Sequence, residues 1–135
     1  MALAEVARVL RPGGVFAFST HNRDYVDARA APHVHFSRNP VTQLANVGRW
    51  GRQAKNHARN RHLESECEEY ALINDLAENY SLIHYYIDVA HQREQLRRAG
   101  FEPERVYDDR TREVGSSVTA NDSPWLWFVA RRIAG

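Results

Sequence analysis

Four consecutive polar residues, Ser19-Thr20-His21-Asn22, close an apolar run and include a histidine, the side chain that most readily moves a proton near neutral pH. A histidine so placed can accept a proton or hydrogen-bond a substrate. Thr20 and Asn22 stand beside it as substrate-binding donors and acceptors. The same residues also suit the exit of a strand, where turn bonding satisfies them. A second group, His84-Tyr85-Tyr86, lies in an extended aromatic stretch. Alternation along a strand sends the two tyrosines to opposite sides, one to a core and one to the surface. Trp125 and Trp127 are read in the same way, as a core anchor and an interface anchor.

Other chemistries are disfavoured. His33-x-His35 offers two metal ligands, but a structural zinc site takes roughly four and usually uses cysteine. The chain has one cysteine, Cys67, and no His-Glu-x-x-His, so no metal is expected. Glu66, Glu68 and Glu69 flank Cys67 and disfavour a thiolate, which leaves it a packing role on a helix. Arg49, Arg52, Lys55, Arg59 and Arg61, with Trp50 among them, could meet phosphates, which makes a nucleic-acid-binding module over 49–61 an alternative. Glu64, Glu66, Glu68 and Glu69 follow directly, and the net charge is +1. A solvated face paired with that acidic block is therefore preferred, and nucleic acid is not the expected partner.

Several elements must position these residues. Leu3, Val6, Ala7 and Leu10 recur at helical spacing, so a short amphipathic helix is expected over 2–10. Pro12 stops it and Gly13-Gly14 allow a sharp turn. Val15-Phe16-Ala17-Phe18 then reads as a strand apolar on both faces, the pattern of a central parallel strand covered by helices above and below. Asn39-Pro40 reads as a cap and first helical position, with Gly48 and Gly51 weakening the helix beyond. A second helix is expected over about 64–77 by the same pattern reading. The stretch 24–82 interrupts the αβ alternation and reads as a helical insertion. Ser81–Ile87 is extended. Asp88 caps a helix marked by Val89, Gln92, Leu96 and Ala99, which Gly100 ends in the left-handed conformation. Glu104–Asp108 and Trp125–Arg131 are strands joined by a polar loop, so they should pair antiparallel.

One cysteine cannot form an internal disulfide, which points to a reducing compartment. No run of about 18 apolar residues occurs, so no membrane span is expected. Glu5 and Arg8 interrupt the first apolar stretch, unlike a secretory leader. A cytoplasmic location is the resulting expectation.

The order of these elements resembles the C-terminal half of a class I S-adenosylmethionine-dependent methyltransferase. The carriers are Glu5-Val6-Ala7-Arg8-Val9-Leu10-Arg11-Pro12-Gly13-Gly14 before a strand, Ser19-Thr20-His21-Asn22 after it, Gln95-Leu96-Arg97-Arg98-Ala99-Gly100-Phe101 before the next strand, and Trp125–Arg131 last. The resemblance implies an α/β fold: a partial Rossmann-like sheet with one central parallel strand, a C-terminal antiparallel pair and a helical insertion. Residues 1–135 would form a single truncated domain of that kind. It also implies S-adenosylmethionine as cofactor, a small-molecule methyl acceptor, His21 as the proton acceptor, and Thr20, Asn22, Tyr85 and Tyr86 as substrate contacts, the last two closing over the substrate. The family's glycine-rich loop and the acid ending its second strand have no counterpart, since no Gly-x-Gly occurs. The expected protein is methyltransferase-like, keeps the substrate side, and does not hold S-adenosylmethionine as a single chain. Activity through a homodimer, or through a partner pairing with the Val15–Phe18 edge, is the alternative.

Overall fold

Pro12 and the two glycines after it set the geometry of the first unit. The computed structural model describes residues 2–115 and 120–133. Helix α1 (Ala2–Val9) runs into the turn, and strand β1 (Val15–Asn22) leaves it. Gly13 has φ +77°, and a Cβ at Gly14 would lie 2.7 Å from Leu10 Cγ, so both positions need glycine. The turn is held to the far end of the sheet: Gly13 N–H donates to the Arg132 carbonyl, and Arg132 N–H donates to Gly14.

The remaining elements are α2 (Pro40–Asn60), β2 (Ser65–Glu66), β3 (Tyr70–Ile73), β4 (His84–Ile87), α3 (Val89–Arg98), β5 (Phe101–Asp108) and β6 (Trp125–Arg132). They divide into two compact units, Met1–Val26 with Tyr86–Gly135, and Asp27–Tyr85. The second unit starts and ends three residues later than the 24–82 block read from the sequence. The division falls inside β4.

In the first unit the strand order is β4-β1-β6-β5. β1 pairs parallel with β4 at His21↔Tyr86 and Asn22↔Ile87, and antiparallel with β6 from Val15↔Arg131 to His21↔Trp125. β5 and β6 pair antiparallel, as expected, with a register shift between Pro103 and Arg105. Proline has no N–H to give a ladder, and β5 is the edge strand of this unit, where proline is tolerated. Asp88 caps α3 by accepting from His91 N–H at 2.9 Å, and Gly100 ends the helix at φ +85°.

One face of this sheet carries the core. Phe101, Val106, Leu126, Phe128 and Ala130 pack with Leu96 of α3, and Leu3, Val6, Ala7 and Leu10 of the first helical segment pack against this cluster together with Phe16 and Phe18. Each large side chain buried here contributes about 1.5–3 kcal/mol. The opposite face is open, and here two expectations fail. Val15 is 49% exposed and Ala17 is also exposed, so β1 is not covered on both sides. Trp125 and Trp127 do not divide between core and interface. Residues two apart on a strand share a face, and both indoles lie on the open one, 39% and 50% exposed.

The second unit is built on polar contacts. α2 begins as expected, with the Asn39 side chain accepting from Val41 and Thr42 N–H. It continues through Gly48 and Gly51 for 21 residues, because its packed side is a row of amides. Gln53 donates to Asn79 Oδ1, Asn56 to the Asn79 carbonyl, and Asn60 to the carbonyls of Tyr80 and Ser81. Asn74, 2% exposed, adds donations to Tyr80 and Leu82. These amides hold Glu78, Asn79 and Tyr80 at φ 48°, 56° and 61°, a left-handed run that costs about 1–3 kcal/mol per residue without such support. The expected 64–77 helix is absent. β2 and β3 form an antiparallel pair there, Ser65↔Leu72 and Glu66↔Ala71. Cys67 lies in its turn, with its N–H on the Tyr70 carbonyl, and does not pack on a helix.

Candidate active site

The register of β1 places three rings in one row. Tyr86, His21 and Trp125 are directly opposite one another across β4, β1 and β6. Ring centroids are 4.9 Å apart for His21–Tyr86 and 4.0 Å for His21–Trp125. The imidazole is thus held between a buried phenol and a half-exposed indole.

Beside this row, Ser19, Asp109, Trp125 and Trp127 line a pocket of about 260 Å³. Ser19 faces Trp127 across the β1–β6 ladder. Asp109 follows the end of β5, which runs in the same direction as β1. The pocket therefore opens at the carboxyl ends of two strands, where open α/β sheets bind ligands.

Two buried side chains shape it from beneath. Asn22 is 1% exposed; its amide donates to the Ala120 and Ser123 carbonyls at 2.8 and 2.9 Å, and its Oδ1 accepts from Asp24 N–H. Ser123, fully buried, accepts from Asp109 N–H at 3.0 Å and donates to the Trp125 carbonyl at 2.7 Å. One hydroxyl so fixes both an acid and an indole of the pocket wall.

Asp108 steadies the same loop. Its carboxylate accepts from Arg110 and Arg112 N–H and pairs with the Arg112 guanidinium at 2.5 Å. Burial acts to raise this carboxyl, but the two backbone donors and the guanidinium outweigh it and hold it below the usual 3.8. Asp122 is also lowered, chiefly by its hydrogen bonds from Arg112. Asp24 shifts the other way, raised by burial and by the Asp88 charge.

The residues singled out from sequence separate. His21 and Tyr86 come together. Thr20 and Asn22 are buried on the core side of β1, and Asn22 binds the 120–124 loop from inside. Tyr85 belongs to the second unit, where it stacks on Tyr70 at 5.1 Å. Ser19 and Asp109 were passed over. Ser19 has the same parity as His21, and that signal could have found it. Asp109 needed the loop's path, which no local pattern encodes.

The second unit contains a polar cleft of about 460 Å³ lined by His35, Arg49, Gln53, Leu76, Glu78 and Asn79. Arg49 is thus a cleft residue of the basic cluster. In the acidic block Glu66 pairs with Arg29 and Glu64 accepts from Asn74 N–H. His33 and His35 meet edge to face at 4.5 Å. His84 Nδ1 lies 2.9 Å from Asp75 Oδ1, a pairing the sequence did not suggest. Among the described residues no helix is long and apolar enough to cross a membrane.

No family model and no curated protein matches the chain. Among solved structures it is similar to an S-adenosylmethionine dependent methyltransferase from Mesorhizobium loti, at 22% identity and a TM-score of 0.51. The match covers 96% of this chain and 53% of that one, so the chain spans about half the length of that protein. The fold is a methyltransferase-like, partial Rossmann-like α/β fold with one parallel strand pair and antiparallel neighbours.

A nucleotide-derived methyl donor is held in such sheets by backbone N–H groups of a glycine-rich strand-to-helix turn and by an acid for the ribose. The first unit's described strand-to-helix turn is Ile87-Asp88-Val89, without glycine. Asp88 already sets its carboxylate on that helix start. Gly13, Gly14 and Gly100 lie in helix-to-strand turns at the amino ends of strands, and Gly48 and Gly51 lie within α2. Among the described residues the donor does not fit this set.

Two measurements test the architecture. Asn22→Ala leaves two carbonyls without their donor and should cost about 1–3 kcal/mol, read as a lower Tm and faster amide exchange at Ser123 and Trp125. Asp108 has a depressed pKa, so its contribution to stability is complete above 3.8 and is lost as pH falls through its folded value. The protection of the 109–113 amides, relative to their intrinsic exchange at the same pH, should therefore fall below pH 3.8, and Asp108→Asn should flatten that dependence.

Proposed function

We propose that this chain serves S-adenosylmethionine-dependent methyl transfer as the part that holds the methyl acceptor, a small molecule, and that the donor is held elsewhere. The observation that carries this reading is the Ser19, Asp109, Trp125 and Trp127 pocket at the carboxyl ends of β1 and β5, on a methyltransferase-like fold. For the donor side, among the described residues of the first unit the strand-to-helix turn Ile87-Asp88-Val89 has no glycine, and its helix start is already capped by Asp88.

Within this reading each residue has a physical task. Trp125 and Trp127 exclude water from one side of the acceptor and orient it. His21, between Tyr86 and Trp125, takes a proton where the acceptor must lose one. Thr20 and Asn22 act from the core side by fixing the strand end.

A second copy of the chain, or another chain, supplies the donor side. The Val15–Phe18 segment is where it would pair, since Val15 and Ala17 are exposed and the described parallel register of β1 begins only at His21. An apolar strand so placed invites pairing.

Calorimetry of the chain with S-adenosylmethionine should show no binding tighter than about 1 mM; micromolar binding would place a donor site in this chain and overturn the division. Light scattering of the isolated chain should give the mass of two copies. A monomer whose Val15–Phe18 amides exchange freely would remove edge pairing between copies.

A further inference from the structure

The pocket's walls are unusual for a site that takes a neutral or anionic ligand. Apart from one hydroxyl and one carboxylate they are indole. We infer that this pocket binds a small organic cation, a tertiary or quaternary ammonium group, and that this group is the handle by which the acceptor is held. The second part rests on the acceptor-side reading above; the binding itself does not.

Trp125 and Trp127 stand on one face of β6 about 7 Å apart, two residues of strand rise. An indole face is the strongest aromatic partner for a cation. Tyr107 lies opposite Trp127 on the other side, in β5, so a third ring has the same facing.

The carboxylate gives the sign of the charge. Asp109 lines the pocket. The guanidinium groups beside it are engaged elsewhere: Arg110 pairs with Asp122 at 3.0 Å, and Arg112 pairs with Asp108 and Asp122 at 2.5 and 3.0 Å. Asp109 forms no ion pair among the described residues. A bound cation would complete it, and an anion would be repelled.

The degree of substitution follows from the donors and acceptors available. A primary ammonium is strongly hydrated and asks for three acceptors. Here Ser19 Oγ and the Asp109 carboxylate are the side-chain acceptors. Methyl groups remove that demand and present a weakly hydrated surface to the rings. The volume of about 260 Å³ suits such a head group. The site is also preorganised, since the Ser123 hydroxyl ties Asp109 N–H to the Trp125 carbonyl and the His21 ring packs at a tilt against Trp125.

Choline and its neutral isostere 3,3-dimethylbutan-1-ol separate charge from shape. The chain carries three tryptophans, so a Trp50→Phe background leaves the pocket indoles as the fluorescent reporters. Choline should quench saturably and bind at least about tenfold tighter than the alcohol. Asp109→Asn should weaken choline about three- to tenfold and leave the alcohol unchanged. Trp127→Leu, at a half-exposed position, should abolish saturable choline quenching while the Tm holds. Equal binding of the two ligands, no saturation by choline up to about 50 mM, or unchanged binding in Trp127→Leu each overturns the inference. The donor is absent from this titration. Its failure therefore leaves the donor calorimetry untouched, and the converse also holds.

Discussion

The buried amide of Asn22 is the contact on which the candidate site depends. A primary amide in a closed interior must satisfy both its donors and its oxygen. Asn22 does so by holding the Ala120 and Ser123 carbonyls and the Asp24 N–H. Its own N–H donates to the Pro124 carbonyl. The end of β1 is thereby locked to the segment that feeds β6. Ser123 then passes the constraint to Asp109 and Trp125. A loop that would otherwise wander is fixed by two side chains with no exposed surface to speak of, and the pocket wall inherits their precision.

Strand alternation decides which residues reach that pocket. Ser19 and His21 face the open side of the sheet, and Thr20 and Asn22 face the helices. Four adjacent polar residues therefore split into a surface pair and a structural pair. From the sequence the quartet was legible as a polar strand exit, and His21 as its reactive member. Its division was not used, although a period of two demands it. Misapplied, the same rule misplaced the tryptophans: residues 125 and 127 share a face, with Leu126 and Phe128 alternating to the core. Much of the first unit was readable because each of its signals is local, namely the Pro12 stop, the Gly13-Gly14 turn, the Asp88 cap and the Gly100 terminator.

The second unit was less readable for a physical reason. Helix prediction rests on an apolar stripe, and the packed side of α2 is Gln53, Asn56 and Asn60. These residues look solvated in a sequence. Their partners are the Asn79 side chain and the carbonyls of Asn79, Tyr80 and Ser81, in and just after a left-handed run, Glu78-Asn79-Tyr80, in which no glycine signals the conformation. A run of non-glycine residues there exists only because the amides over-determine it. The acidic 64–69 stretch reads as helix by composition. It turns instead at Cys67, because Ala71 and Ile73 alternate as a strand with one face buried.

Fold and site point in one direction at different resolution. A sheet of this order can be shared by proteins of many activities, so likeness at 22% identity defines a scaffold. What the scaffold offers is decided by the groups at the carboxyl ends of its strands. After β4 the chain places Asp88, whose carboxylate caps α3. After β5 it places Asp109 beside two indoles. The first carboxylate is spent on a helix start, and the second lines a pocket. Two aspartates, each following a strand, are thus turned to different uses, one by a helix N–H and the other by an aromatic wall.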